Sequence, residues 1–172
     1  METPYINPDA ARLLEAVASA GGVKLRQLSL NDARKATVAM AHQLDLPCAE
    51  ECAVANLTIE AAHPVPARLY SPIKVPPAID DVGMSTPVII YAHGGGWVLG
   101  DLDYCDSLCR HLATRSGYRV VSLDYRLAPE HPFPAAFMDV QASARWVRTS
   151  PPALGQPVSG IALAGDSAGG GH

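Results

Sequence analysis

A serine framed by glycines, Gly165-Asp166-Ser167-Ala168-Gly169, directly follows the apolar run Ile161-Ala162-Leu163-Ala164. That order admits few folds. The G-x-S-x-G pattern sets its serine on a sharp strand-to-helix turn, with the hydroxyl exposed above a sheet. A backbone bent so tightly needs small residues on either side, because a Cβ there would block the approach of neighbouring elements. The apolar run before the turn predicts a short strand buried on both faces. Such a turn supplies a nucleophile, and the base that activates it must come from another part of the fold.

The rest of the chain is consistent with a sheet beneath that turn. Asn7 is placed to cap a first helix, with Pro8 at its first position, Leu13, Leu14 and Val17 on one face and Gly21-Gly22 at its end. Ser29-Leu30-Asn31-Asp32 opens a second helix as a capping box, with Ala33, Thr37, Met40, Ala41 and Leu44 as its inner stripe and Pro47 beyond its stop. From Ala53 the hydrophobic period changes from 3.6 to 2. Leu57 and Ile59, then Val65, Ala67 and Leu69, alternate with polar or small neighbours, predicting two antiparallel strands that turn near His63-Pro64. A Pro-rich loop leads to Pro87-Val88-Ile89-Ile90-Tyr91, a buried central strand. Strand and helix then alternate: a helix over 102–116 ending at Gly117, a strand over 119–123, a helix from Pro134 with Phe137, Val140, Ala144 and Val147 inward, and the strand at 161–164. Alternation at this spacing predicts an α/β fold with a largely parallel sheet covered on both faces.

A second motif lies at the end of the central strand. His93-Gly94-Gly95-Gly96-Trp97 exposes successive backbone N–H groups with no side chains in the way. Donors fixed in advance are what a developing oxyanion needs. A phosphate cradle is the competing reading, but it requires a following Lys-Ser/Thr or a G-x-G-x-x-G spacing, and neither is present.

These blocks, with Asp124-Tyr125-Arg126-Leu127-Ala128-Pro129-Glu130-His131-Pro132-Phe133-Pro134-Ala135 between them, resemble the hormone-sensitive-lipase-like branch of the α/β-hydrolases, which includes acetyl esterases and arylacetamide deacetylase. The resemblance implies an α/β-hydrolase fold with cap helices in residues 1–50 and the N-terminal part of the hydrolase domain in 51–172. It implies a carboxylic ester hydrolase of short-acyl, small-molecule esters, with Ser167 as nucleophile and no cofactor. The oxyanion site would be built from the loop His93, Gly94, Gly95 and Gly96, its N–H groups at Gly95 and Gly96 foremost, together with Ala168. Asp166 precedes the nucleophile and is not the triad acid. Cys105 stands where relatives often carry a histidine. The triad acid and histidine of the family follow the serine in the chain, so the sequence is expected to be a fragment lacking both, with little activity of its own.

No histidine within it offers a substitute. His172 is too close in sequence to fold back onto Ser167 from a helix, His93 orders the glycine loop, and His131 sits in a Pro-rich loop. His42, His63 and His111 look like surface or helix-face residues. The same scaffold without chemistry, a small-molecule-binding homologue, is the alternative function. A peptidase of the same superfamily is a third, disfavoured by the 124–135 block.

Charge and cysteine usage exclude other classes. A net charge of −4 and the lack of any Lys/Arg run argue against a nucleic-acid surface. No apolar stretch reaches membrane-spanning length, and residues 1–10 have neither a basic nor an apolar leader region, so a cytoplasmic protein is expected. Cys48/Cys52 and Cys105/Cys109 have a spacing that zinc sites also use. Cys105, Leu108, Cys109 and Leu112, however, fall on one helical stripe, where cysteine packs as a small hydrophobe, so no metal site is expected.

Overall fold

The computed structural model describes residues 5–19, 25–45, 47, 51–73 and 85–171. Gly21-Gly22, Cys48 and His172 lie outside them. Internal contacts divide the chain into two units, Met1–Ala36 and Thr37–His172.

In the first unit, helix α1 spans Pro8–Ser19. Asn7 caps it as expected, its Oδ1 accepting from the Asp9 N–H at 2.8 Å. Helix α2, Leu30–Leu44, begins here and continues into the second unit. Ser29 caps it through the Asp32 N–H at 3.2 Å and returns its own hydroxyl to the Asp32 carboxylate at 2.6 Å.

The second unit is built on a five-stranded sheet of β1 (Cys52–Ile59), β2 (Val65–Pro72), β3 (Thr86–Ala92), β4 (Arg119–Leu123) and β5 (Val158–Gly165), in spatial order β1-β2-β4-β3-β5. β2 is antiparallel to both neighbours, while β4, β3 and β5 run parallel, so only β2 is reversed. The hairpin turns where the sequence predicts, with Ile59 opposite Val65. Helix α3 spans Asp106–Ser116 and helix α4 spans Ala135–Arg148. α3 ends at Gly117, whose φ of 72° is the left-handed cap conformation and whose N–H reaches the Ala113 carbonyl.

Side chains alternate across the strands and separate two cores. Val88 and Ile90 of β3 join Val121, Leu123 and the inner face of α4 at Val140 and Val147. Ile89 and Tyr91 point to the other side, where Tyr70 and Val120 meet Cys105, Cys109 and Ala113 of the α3 segment. Period-2 pattern and two-sided cover therefore go together, as in a sheet wrapped by crossover helices.

Several expected inward positions face outward. Residues 102–105 form turns rather than the first turn of α3. Asp101 explains this, because its carboxylate accepts the N–H groups of Asp103 and Tyr104 at 2.9 and 2.8 Å, a local alternative to the helix. Leu108, Phe137, Met40 and Leu44 are exposed. Each lines a cavity rather than the core. Leu163 of β5 is 64% exposed despite its apolar run, and β5 is an edge strand of the described sheet.

Candidate active site

Two loops meet at the C-terminal ends of β3 and β5. Ser167 lies one residue past the end of β5 and has a φ of 48°, a left-handed conformation rare for a residue with a side chain. Residues Ser167–Gly171 continue as a short 3₁₀ turn. The flanking glycines are there for contact: a Cβ on Gly169 would overlap the Ala92 carbonyl oxygen, and one on Gly165 would sit 2.5 Å from the Gly169 carbonyl carbon. The turn is thus pressed against the end of β3, where the glycine loop starts.

That loop is shaped residue by residue. Gly95 has a φ of 119° and Gly96 one of 63°. The Gly95 carbonyl accepts from Val98 at 3.2 Å and Leu99 at 2.9 Å, closing a tight turn. Among the described residues the N–H groups of Gly95 and Gly96 take no hydrogen bond. Gly94 differs: its N–H donates to Asp166 Oδ1 at 2.8 Å.

His93 is fully buried beneath the loop. Its Nδ1 lies 2.7 Å from the Gly94 carbonyl, which can only accept, so Nδ1 carries the proton. Nε2 is buried without a partner among the described residues. Burial holds the imidazole pKa below its ordinary value, outweighing the Gly94 bond and the acidic residues nearby. The ring stacks on Tyr125 with centroids 4.4 Å apart, and the Tyr125 hydroxyl donates to the His93 carbonyl at 2.6 Å. His93 is therefore a neutral brace rather than a solvent-facing base.

The segment after β4 supports the same loop. Tyr125 holds His93, and the Ala128 N–H donates to the Trp97 carbonyl at 2.8 Å. Arg126 grips the buried Asp139 of α4 through Nε at 2.9 Å and Nη2 at 2.7 Å, while its own backbone N–H donates to the same carboxylate. Sequence reasoning recognised this block by pattern alone. Its structural content is a strut between α4 and the glycine loop.

Tyr91 and Asp166 went unassigned in the sequence. The Tyr91 hydroxyl donates to Asp166 Oδ1 at 2.6 Å, and burial followed by that bond raises its pKa. Tyr91 read only as one apolar position of a buried strand, and no spacing rule connects it to a carboxylate so far along the chain.

Beside the glycine loop lies a cavity of about 360 Å³, walled by Trp97, Phe133, Pro134, Phe137 and His131, with Gly96 and Gly171 at its serine side. Its lining is mostly apolar, and its size is that of a small-ligand site. Cys105 and Cys109 face the core instead, with Cys105 Sγ 3.2 Å from Ser122 Oγ. The remaining histidines are elsewhere: His42 Nε2 contacts the Asp103 carbonyl and His111 Nε2 the Pro47 carbonyl.

A sheet whose central parallel strands end in a glycine loop and a serine on a strained turn is the α/β-hydrolase fold, and the chain is an α/β-hydrolase of the hormone-sensitive-lipase-like branch. A family model of the alpha/beta hydrolase fold matches residues 89–171. Along 171 residues the chain is 40% identical to esterase LipI of Mycobacterium tuberculosis, covering 98% of this chain and 50% of LipI. It is 37% identical over 174 residues to ethyl acetate hydrolase of Pseudomonas putida, covering 96% of this chain and 52% of that enzyme. An ester hydrolase from the metagenome of Lake Arreo has a similar structure, with a TM-score of 0.82 at 35% identity over 96% of this chain and 52% of the other. The chain thus spans about half the length of the relatives it matches.

Proposed function

We propose that this chain carries the nucleophile and oxyanion site of a serine carboxylesterase acting on small-molecule esters of short acyl chains. The observation that carries the reading is the junction of two strained loops at adjacent strand ends: Ser167 at φ 48° and, across from it, the turn at Gly95 and Gly96 with unengaged N–H groups. In this mechanism Ser167 Oγ attacks the ester carbonyl, its proton passing to a base. Carbonyl charge collects on an oxyanion held by the N–H groups of Gly95, Gly96 and Ala168. Gly94 and His93 act beneath the loop: Gly94 gives its N–H to Asp166, and His93 braces the turn. Collapse of the tetrahedral species expels the alcohol and leaves an acyl-Ser167, which water hydrolyses. The apolar cavity beside Gly96 receives one arm of the ester, and its modest volume favours a small one.

The division expected from the sequence, cap helices in residues 1–50 and the hydrolase domain from 51, belongs to the same proposal. So does a cytoplasmic location, supported by three buried free cysteines, Cys52, Cys105 and Cys109. No helix among the described residues is long and apolar enough to cross a membrane.

Labelling of the full-length protein with a fluorophosphonate tests the reading. A probe adduct on Ser167, abolished in Ser167→Ala, is the expected result. A folded protein that binds esters but takes no label would favour the non-catalytic homologue.

A further inference from the structure

We propose that Asp166 is a positioning residue of the oxyanion site, fixing the glycine loop to the turn that bears the nucleophile. The inference rests on the esterase reading of Ser167 and concerns a residue that chemistry alone would leave idle. One oxygen, Oδ1, accepts two hydrogen bonds: from the Gly94 N–H at 2.8 Å and from the Tyr91 hydroxyl at 2.6 Å. The three groups come from separate pieces of backbone. Tyr91 lies on β3 in register with Ala164 of β5, Gly94 opens the loop that follows β3, and Asp166 lies between the end of β5 at Gly165 and Ser167. A single carboxylate therefore spans both halves of the site.

The packing leaves this link little freedom. Gly94 is buried, and a Cβ on it would overlap Asp166 Oδ2, so the loop lies flush against the carboxylate. Tyr91 is 3% exposed and approaches from below. Three consecutive glycines have wide conformational freedom, and N–H donors placed by such a segment need an external constraint to stay aimed. Asp166 supplies that constraint at the first glycine, next to the two whose N–H groups remain unengaged. Its effect on chemistry is through the loop, since both bonds of Oδ1 are already made.

The test compares Asp166→Ala, Asp166→Asn and Tyr91→Phe in the full-length protein. An asparagine side-chain oxygen can still accept both bonds, whereas alanine can accept neither. Asp166→Ala is expected to lower kcat on the order of 10²-fold, the scale of a misplacement of about 1 Å, with KM changed less than about threefold. Asp166→Asn should recover about tenfold or more of that loss, and Tyr91→Phe should fall between. Hydrogen exchange at the Gly94 amide should accelerate in Asp166→Ala and stay close to parental in Asp166→Asn. A folded Asp166→Ala protein with parental kcat, or an Asn variant as impaired as the Ala variant, overturns the proposal. If Asp166→Ala does not fold, Tyr91→Phe decides: parental kcat and parental Gly94 exchange in that variant overturn it. Ser167→Ala runs alongside. Should the parent show no Ser167-dependent turnover, the esterase reading fails, and Gly94 exchange alone then supports or overturns the positioning role.

Discussion

Ser167 is held at a φ of 48°, a conformation that costs a residue with a side chain about 1–3 kcal/mol and persists only where its surroundings enforce it. The enforcement is visible at Gly165 and Gly169, which let the turn press against the end of β3. The two loop glycines make different demands. A Cβ on Gly95 would overlap the Leu99 carbonyl oxygen, while one on Gly96 meets nothing within 4 Å. Gly95→Ala should therefore distort the donor turn and lower kcat by about 10²-fold or more, the scale of losing one oxyanion donor. Gly96→Ala should act only through its positive φ, costing about 1–2 kcal/mol in loop strain. Steady-state kinetics on both variants, with circular dichroism to confirm folding, checks the contrast, and equal losses would contradict the geometry. Both glycine motifs were legible in the sequence because a tight turn demands a residue without a Cβ. The Asp166–Tyr91–Gly94 link was not, because a hydrogen bond between residues on different strands leaves no local spacing to read.

Elements were legible where local chemistry decides them: the Asn7 and Ser29 caps, the hairpin between β1 and β2, and the stop at Gly117. Helix faces were only half legible. Period 3.6 shows that Leu108, Phe137, Met40 and Leu44 share an apolar stripe with buried residues, but an apolar stripe turns equally well to a core or to a cavity wall. The start of α3 was misplaced because Asp101 captures the preceding N–H groups. The true first residue, Asp106, ties that helix to the sheet: it accepts from Tyr70 at 2.9 Å and Arg68 at 3.0 Å through Oδ1, and from Arg110 at 2.7 Å through Oδ2. Burial pushes the Asp106 carboxyl up, but its bonds to Arg110, Tyr70 and Arg68 outweigh that and hold its pKa below the ordinary value. Asp106→Ala leaves those donors unpaired and should destabilise the fold by about 1–3 kcal/mol, read by urea unfolding. An unchanged midpoint would show that the α3–β2 link is dispensable.

At the scale of the whole molecule, the parallel run of β4, β3 and β5 and the helix-covered faces followed from β/α alternation, and the antiparallel β1–β2 pair from the period-2 pattern before it. A run of apolar residues reads as buried, but Leu163, on the edge strand β5, is exposed. Global stability should also report the buried His93. Its folded pKa lies below the unfolded value of about 6.5. Between those two values the unfolded chain binds a proton that the native state refuses, so stability falls as pH drops below about 6.5 and is retained above it. His93→Asn, which keeps a donor for the Gly94 carbonyl but cannot titrate, should flatten that part of the melting-temperature profile relative to the parent. An identical acid slope in both proteins would place the titrating group elsewhere. The central claim, that Ser167 is the group acylated in ester hydrolysis, is tested most directly by trapping the intermediate. Full-length protein is mixed with p-nitrophenyl acetate, quenched in acid and digested for mass spectrometry. The account predicts a single acetyl adduct on Ser167, absent in Ser167→Ala, with turnover reduced in that variant on the order of 10⁶-fold; acetylation of another side chain, or turnover that survives the substitution, would contradict it.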